Sequence, residues 1–351
     1  MIKYYTRACN FYYGSVSAEK VGKKLSLPLH GNRLISFDTI EIISRKKIIK
    51  INIKKINKLK SKVKKKILLD IKQISKKKKF KKLKFSNLPI LMGVLNLTPN
   101  SFSDGGKYNK KKLGVKHAKY LTKCGCEILD IGGEATNPGS EEVNIYEEWR
   151  RIFPTLKKLK NLKELISLDT RKSVIMKKGI QNKVDLINDV SGLNHDKDTI
   201  KVLKDSEIPF IIHHMQGNPS TMQKNPKYNN VVLDIYDFFE KKLKFIRANK
   251  ITHNNIILDP GIGFGKNLKH NITILNQISI FHSLGFPVML GISKKKFIKD
   301  IAKDNDSINR TGGTISSSVH ALQQGVQILR VHDINETKQA MKVFDKLIFN
   351  I

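Results

Sequence analysis

Cysteine is scarce in this chain: Cys9, Cys124 and Cys126 are the three in 351 residues. The number is odd, and no CxxC or Cys/His metal spacing accompanies them. That argues against a disulfide framework or a zinc site and for free thiols in a reducing compartment. Long apolar runs are missing too. No stretch of about 18 apolar residues occurs, so no membrane-spanning helix and no membrane partner are expected. The opening MIKYYTRACNFYYGS lacks the apolar core of a secretory leader, and a cytoplasmic location is the expectation. Acid is in short supply as well: 30 Asp and Glu face 66 Lys and Arg, a formal net charge of +36. Such a balance suits a polyanion partner. The basic residues are mostly Lys, however, without interleaved aromatics, and Ile and Asn are abundant beside them. An A/T-rich genome favours that mixture, so most of the charge is read as composition. A positive field would still draw anionic substrates.

The chain changes character near residue 86. Residues 45–85 are dense in Lys, as in KSKVKKK and SKKKKFKKLKF. Upstream, RLISFDTIEII and KKIIKINI alternate partially and predict a small hairpin. The Lys-rich stretch reads equally as an exposed helix or a tether. Residues 1–85 are therefore a basic N-terminal extension of unassigned role, with nucleic-acid contact through 45–85 as a lesser option. Residues 86–351 form the second unit, and it is expected to work alone.

From Pro89 onward, short Ile/Val/Leu-rich runs alternate with helical segments. The runs cover 90–96, 127–133, 165–170, 184–190, 209–215, 255–261, 287–293 and 326–333. Each is short and nearly continuous, as strands buried on both faces are. Amphipathic stretches lie between, including 146–160, 233–249, 272–284 and 336–347. Eight strands and eight helices in this length make an α/β fold, a TIM (β/α)8 barrel. A doubly wound open sheet competes less well, because no GxGxxG follows the first strand. Asn96, Asp130, Asp169, Asn188, His213, Asp259, Ser293, Arg330 and His332 all fall at the C-terminal ends of the runs. In such a barrel those ends make one rim, where active sites lie. Any one of them could simply cap a helix; nine at equivalent positions point to a site. The loop in LMGVLNLTPNSFSDGG, rich in Gly, Ser and Asn, has the composition of a lid. Asn96 offers a neutral oxygen of the kind Mg²⁺ accepts when it shares its shell with a phosphate.

LMGVLNLTPNSFSDGG (91–106), LDIGGEATNPGS (129–140), HHMQGNPSTMQ (213–223), LDPGIGFGK (258–266), GISKKKF (291–297) and ILRVHD (328–333) together resemble the motifs of dihydropteroate synthases. The resemblance spans about residues 88–348 and leaves the first 85 uncovered. It implies a TIM barrel, Mg²⁺, a homodimer, and a sulfonamide-target transferase of folate biosynthesis. The reaction it implies joins p-aminobenzoate to a pterin diphosphate. It further implies that Asp169, Asn188 and Asp259 meet the amino-pyrimidinone edge of the pterin, and that Lys295 donates to its carbonyl or ring nitrogen. Phe264 and Met215 are expected as apolar walls. Arg330, whose planar fork suits phosphate, would join His332 and Thr136 around the diphosphate. Lys295, Asp169, Arg330 and His332 are the expected catalytic set, with Asn96 at the metal.

Three places depart from the family pattern. Asn100 stands where an acid is usual. Ala135 and Asn137 replace a Ser and an Arg in the second motif, and Lys294 replaces an Arg in the seventh-strand motif. These positions bear on aminobenzoate binding more than on pterin binding. Two other readings are a pterin-dependent methyltransferase and a catalytically weakened pterin-binding barrel with nucleic-acid affinity. The first needs neither a diphosphate clamp nor the TPNSFSD loop.

Overall fold

Eight short parallel strands close on themselves around the axis of the molecule. The computed structural model describes residues 2–77, 79–85, 89–98, 113–137 and 139–349. In the N-terminal part the elements are β1 (Tyr5–Tyr13), α1 (Gly14–Gly22), β2 (Leu27–Leu29), β3 (Asn32–Ile43), β4 (Ile48–Asn52) and α2 (Ser61–Ser75). The barrel strands are β5 (Ile90–Asn96), β6 (Ile128–Gly132), β7 (Leu165–Asp169), β8 (Leu186–Asp189), β9 (Phe210–His213), β10 (Ile256–Asp259), β11 (Met289–Gly291) and β12 (Ile328–Val331). They pair in the order β10-β9-β8-β7-β6-β5-β12-β11. A parallel bridge between Leu258 and Val288 joins the two ends. The outer helices are α3 (Leu113–Lys123), α4 (Ile145–Leu159), α5 (Ser173–Gln181), α6 (Thr199–Ser206), α7 (Val231–Ala248), α8 (Leu268–Asn276), α9 (Lys296–Ala302), α10 (Thr311–Leu322) and α11 (Ile334–Phe349). The expected (β/α)8 barrel is what forms.

Side chains alternate across each strand, and that period sorts the barrel into two apolar clusters. Leu91, Leu129, Ile131, Leu168, Ile187, Ile212, Leu258, Leu290 and Leu329 face outward and pack with the helix layer. Ile90, Met92, Ile128, Leu186, Ile211, Ile257, Met289 and Ile328 face inward and fill the lower barrel. Leu83, with Phe80 and Phe85 beside it, belongs to that inner cluster, so the segment leading into β5 plugs the lower mouth. Each fully buried side chain of this kind contributes about 1.5–3 kcal/mol.

The Lys-rich extension is folded. The predicted hairpin exists as β3 and β4, but inside a four-stranded sheet with β3 at its centre. β1 runs antiparallel along one side of β3, and β2 and β4 share the other. The Lys-rich stretch becomes α2. Ile67, Ile71 and Ile74 of α2 are buried against Ala8, Leu29, Phe37, Ile40 and Ile42, while Lys62, Lys65, Lys72 and Lys76 stay exposed. Asp70, the lone acid of the stretch, is buried and accepts hydrogen bonds from Thr6 Oγ1 (2.6 Å) and from Lys66 Nζ.

This unit is joined to the barrel by packing as well as by chain. Tyr5 and Ile43 belong to the core shared with the barrel helices. Tyr5 meets Tyr236 edge to face at 5.1 Å. Lys3 pairs with Asp237 and Glu240 at 2.6 and 2.9 Å, and Arg45 with Asp234 at 2.7 Å. The helix expected over 272–284 is split: α8 stops at Asn276 and a 3₁₀ turn covers Ile278–Leu284. The break is where β1 docks. Arg7 Nη1 donates to the Asn276 carbonyl at 2.9 Å, satisfying a helix-end acceptor, and Ser279 Oγ donates to the Ala8 carbonyl at 2.8 Å.

Candidate active site

Two residues above the apolar floor, the same inward positions turn polar. Ile128 is followed by Asp130, Leu186 by Asn188, Ile211 by His213, Ile257 by Asp259 and Ile328 by Arg330. On β7 the inward series is Leu165, Ser167, Asp169. Strand register then sets the neighbours: Asp169 lies beside Asn188, Asp259 beside His213, and Gly291 beside Arg330. Asp130, Asp169, Asn188, His213 and Asp259 are all buried.

Arg330 ties the ring together. Its Nε donates to Asp130 Oδ2 at 2.6 Å and its Nη2 to Asp169 Oδ2 at 2.8 Å. Asn188 Nδ2 donates to the same Asp130 oxygen at 3.0 Å. The other oxygens of this group, Asp130 Oδ1, Asp169 Oδ1 and Asn188 Oδ1, are buried without a hydrogen-bond partner among the described residues. Buried acceptors left open in this way call for donors from outside. Asp259 turns Oδ1 to the Gly261 N–H at 2.8 Å. That turn demands glycine: Gly261 has φ +70°, and a Cβ there would sit 2.0 Å from the His214 carbonyl oxygen.

Burial and the neighbouring Asp130 push the Asp169 carboxyl upward, against the pull of Arg330. Burial raises Asp259 to about 6. Lys295 falls to about 8, through burial and then the repulsion of Arg330, with Asp259 and Asp169 opposing. Its Nζ lies 4.1 Å from the Phe264 ring centroid, a cation–π distance. Phe264 also meets His213 edge to face at 4.4 Å. His332 Nδ1 is 2.9 Å from Ser293 Oγ, and burial takes its pKa down to about 3, so the ring is neutral near pH 7.

The structure brings Asp169, Asn188, Asp259, Phe264, Lys295 and Arg330 together at one end of the barrel. Asn96 ends β5 alongside Gly132. There the Asn96 Oδ1 lies 3.8 Å from where a Gly132 Cβ would be. Thr136 stands half-buried in the β6–α4 loop. The base of that loop is fixed by Glu134, which accepts from Val143 N, Arg171 Nε and Lys172 Nζ at 2.8–2.9 Å. Arg330 is not the free phosphate fork that the sequence suggests, because Nε and Nη2 are already committed to carboxylates. Met215 lies beyond the end of β9, half-buried; His213 is the β9 residue that packs on Phe264. Lys294, largely buried, pairs with Asp333 at 2.7 Å. The lid expected over 99–106, with Asn100, falls outside the described residues. Sequence reasoning placed Asp130 and His213 on the rim but gave neither a role. Their parity with Ile128 and Ile211 was the available signal. Among the described residues no group of three or more His, Cys, Asp or Glu could cage a metal. A lone amide such as Asn96 does fit Mg²⁺ whose other ligands are water and substrate phosphate.

The pattern of the pterin-binding enzymes matches residues 92–332. This chain belongs to the pterin-binding enzyme family. Within it, the chain is 39% identical to the dihydropteroate synthase of Neisseria meningitidis serogroup B over 268 residues, 75% of this chain and 94% of that one. It is 37% identical to the Escherichia coli K12 dihydropteroate synthase over 258 residues, 73% of this chain and 91% of that one. Among solved structures of the family, the Yersinia pestis dihydropteroate synthase with a sulfonamide drug complex superposes with a TM-score of 0.73. It is 36% identical and covers 76% of this chain and 96% of that one. The Xanthomonas albilineans enzyme in complex with 7,8-dihydropteroate gives 0.67 at 30% identity, covering 76% and 95%.

Proposed function

We infer that the chain is a dihydropteroate synthase. It condenses 6-hydroxymethyl-7,8-dihydropterin diphosphate with p-aminobenzoate to give 7,8-dihydropteroate and diphosphate. The observation that carries this reading is the ring of open buried acceptors, Asp130 Oδ1, Asp169 Oδ1 and Asn188 Oδ1, knitted by Arg330 at the mouth of the barrel. The amino-pyrimidinone edge of a pterin supplies N–H donors to such a ring. Phe264 offers a flat wall, and Lys295, charged below its pKa of about 8, a donor for the ring carbonyl.

In the reaction the methylene C–O bond breaks and the diphosphate departs. The arylamine nitrogen then bonds to that carbon and releases a proton. No protein nucleophile is needed. The carboxylate oxygens at the mouth favour the cationic methylene, and the remaining donors of Arg330, the neutral His332 and Thr136 are the groups offered to the diphosphate. Asn96 is the residue that would hold magnesium, which would supply charge neutralisation for the leaving group. A homodimer, a cytoplasmic location and contact with nucleic acid through 45–85 stay separate proposals, open to light scattering, cell fractionation and salt-dependent RNA binding.

The test is turnover of the pterin diphosphate with p-aminobenzoate, with and without Mg²⁺. Dihydropteroate and diphosphate should appear in equal amounts. Asp259→Asn and Lys295→Ala should each cut kcat/KM by about 100-fold or more, the scale of losing one well-placed electrostatic group. Full activity in both would show the pocket to be elsewhere.

A further inference from the structure

Resting on that reading, we infer that His213 is a specificity-determining residue for the pterin, its imidazole hydrogen-bonding the heterocycle beside Asp259. β9 sends Ile211 into the apolar floor and, one period up, His213 into the polar layer. Its β10 neighbour in register is Asp259. His213 Nε2 stands 3.9 Å from Asp259 Oδ2, too far for a hydrogen bond and close enough for one ligand edge to touch both. Nδ1 is buried without a hydrogen bond of good geometry among the described residues, and the Val190 backbone engages the ring only weakly. Phe264 abuts the ring edge to face, and the ring's Cε1 fills the space over Gly261, 2.8 Å from where a Cβ there would be.

Burial above all, and then the neighbouring Lys295 and Arg330, hold the imidazole neutral. A neutral imidazole keeps one donor and one acceptor nitrogen. An aliphatic or thioether side chain would fill the same space without hiding unmatched polar atoms. A polar ring fixed in the barrel interior beside an open carboxylate oxygen is explained by a ligand that completes its hydrogen bonding. Lys266 differs in this respect. Its Nζ already meets His214 Nδ1 and the Phe264 carbonyl, each at 2.9 Å, so it braces the loop from behind.

The experiment measures binding of 6-hydroxymethylpterin, which lacks the diphosphate, to the full chain by calorimetry. His213→Met keeps volume and removes polarity, while His213→Gln keeps a donor and an acceptor. His213→Met should raise the pterin Kd about tenfold, the worth of one lost hydrogen bond of 1.4 kcal/mol. His213→Gln should recover most of that loss. The KM for p-aminobenzoate should stay within about twofold in both, since additive sites do not couple. A His213→Met protein that binds the pterin as tightly as the parent overturns the inference and leaves a space-filling residue. Equal loss in both variants overturns it too, in favour of shape. Failure of the unsubstituted chain to bind any pterin would instead bring down the functional reading itself.

Discussion

The lower and upper halves of the barrel interior are built by the same strands at the same side-chain parity, yet they hold opposite chemistry. Below, Ile, Leu and Met close a dry layer that Leu83 and two phenylalanines seal from underneath. Above, one residue pair further along six of these strands, carboxylates, an amide, an imidazole and a guanidinium meet with several oxygens unmatched among the described residues. The difference teaches where stability and function are kept apart. The floor is satisfied within the chain. The upper layer is completed only by what enters it.

Exchanging groups between the halves should expose that division. The largest effect is expected for Arg330→Met, which strands Asp130 and Asp169 in a buried layer. Breaking a buried pair from one side typically costs about 3–5 kcal/mol, read here from urea unfolding, and turnover should vanish with it. Adding Asp130→Asn should return part of the stability and none of the activity. Next comes Ile257→Ala in the floor: about 2–5 kcal/mol of stability lost to a cavity, with kcat/KM per folded molecule nearly unchanged. If that substitution instead cripples catalysis at full stability, the two halves are not separable. Leu83→Ala should do less, about 1–2 kcal/mol, because the plug is at the edge and can settle.

The smallest effect is a pH slope. The folded-state pKa of Asp259 is raised by burial from 3.8 to about 6. The folded protein therefore holds that proton more tightly than the unfolded chain does. Its stabilising contribution is complete below about 4 and is lost as the pH rises through 6. Ligand-free protein should thus gain unfolding free energy between pH 7 and 5 from this residue, and Asp259→Asn should flatten that part of the curve.

Much of the barrel could be read in advance because its strands are local, continuous and apolar, and each ends on a polar residue. The rim residues followed from those ends. What escaped was direction. Met215 and His213 share one run, and only the end of β9 at His213 decides which of them faces Phe264. Arg330 looked free because its partners lie 200 and 161 residues away, on strands whose register no local pattern reveals. The sheet of the first 77 residues was obscured by lysine, which blunts alternation on the exposed faces, and by pairing of β1 with β3 across an intervening helix and strand. The extension read as separable supplies Tyr5 and Ile43 to the barrel's core.

The seat of β1 lies on the 3₁₀ turn at Ile278–Leu284 and on α7. During synthesis β1 must wait for a platform encoded some 270 residues later. At roughly 5–20 residues per second, that is about 14–54 seconds with Tyr5 and Ile43 unsheltered. In the living cell the vulnerable moment of this molecule is its youth, and chaperones that guard nascent chains would find their grip at β1.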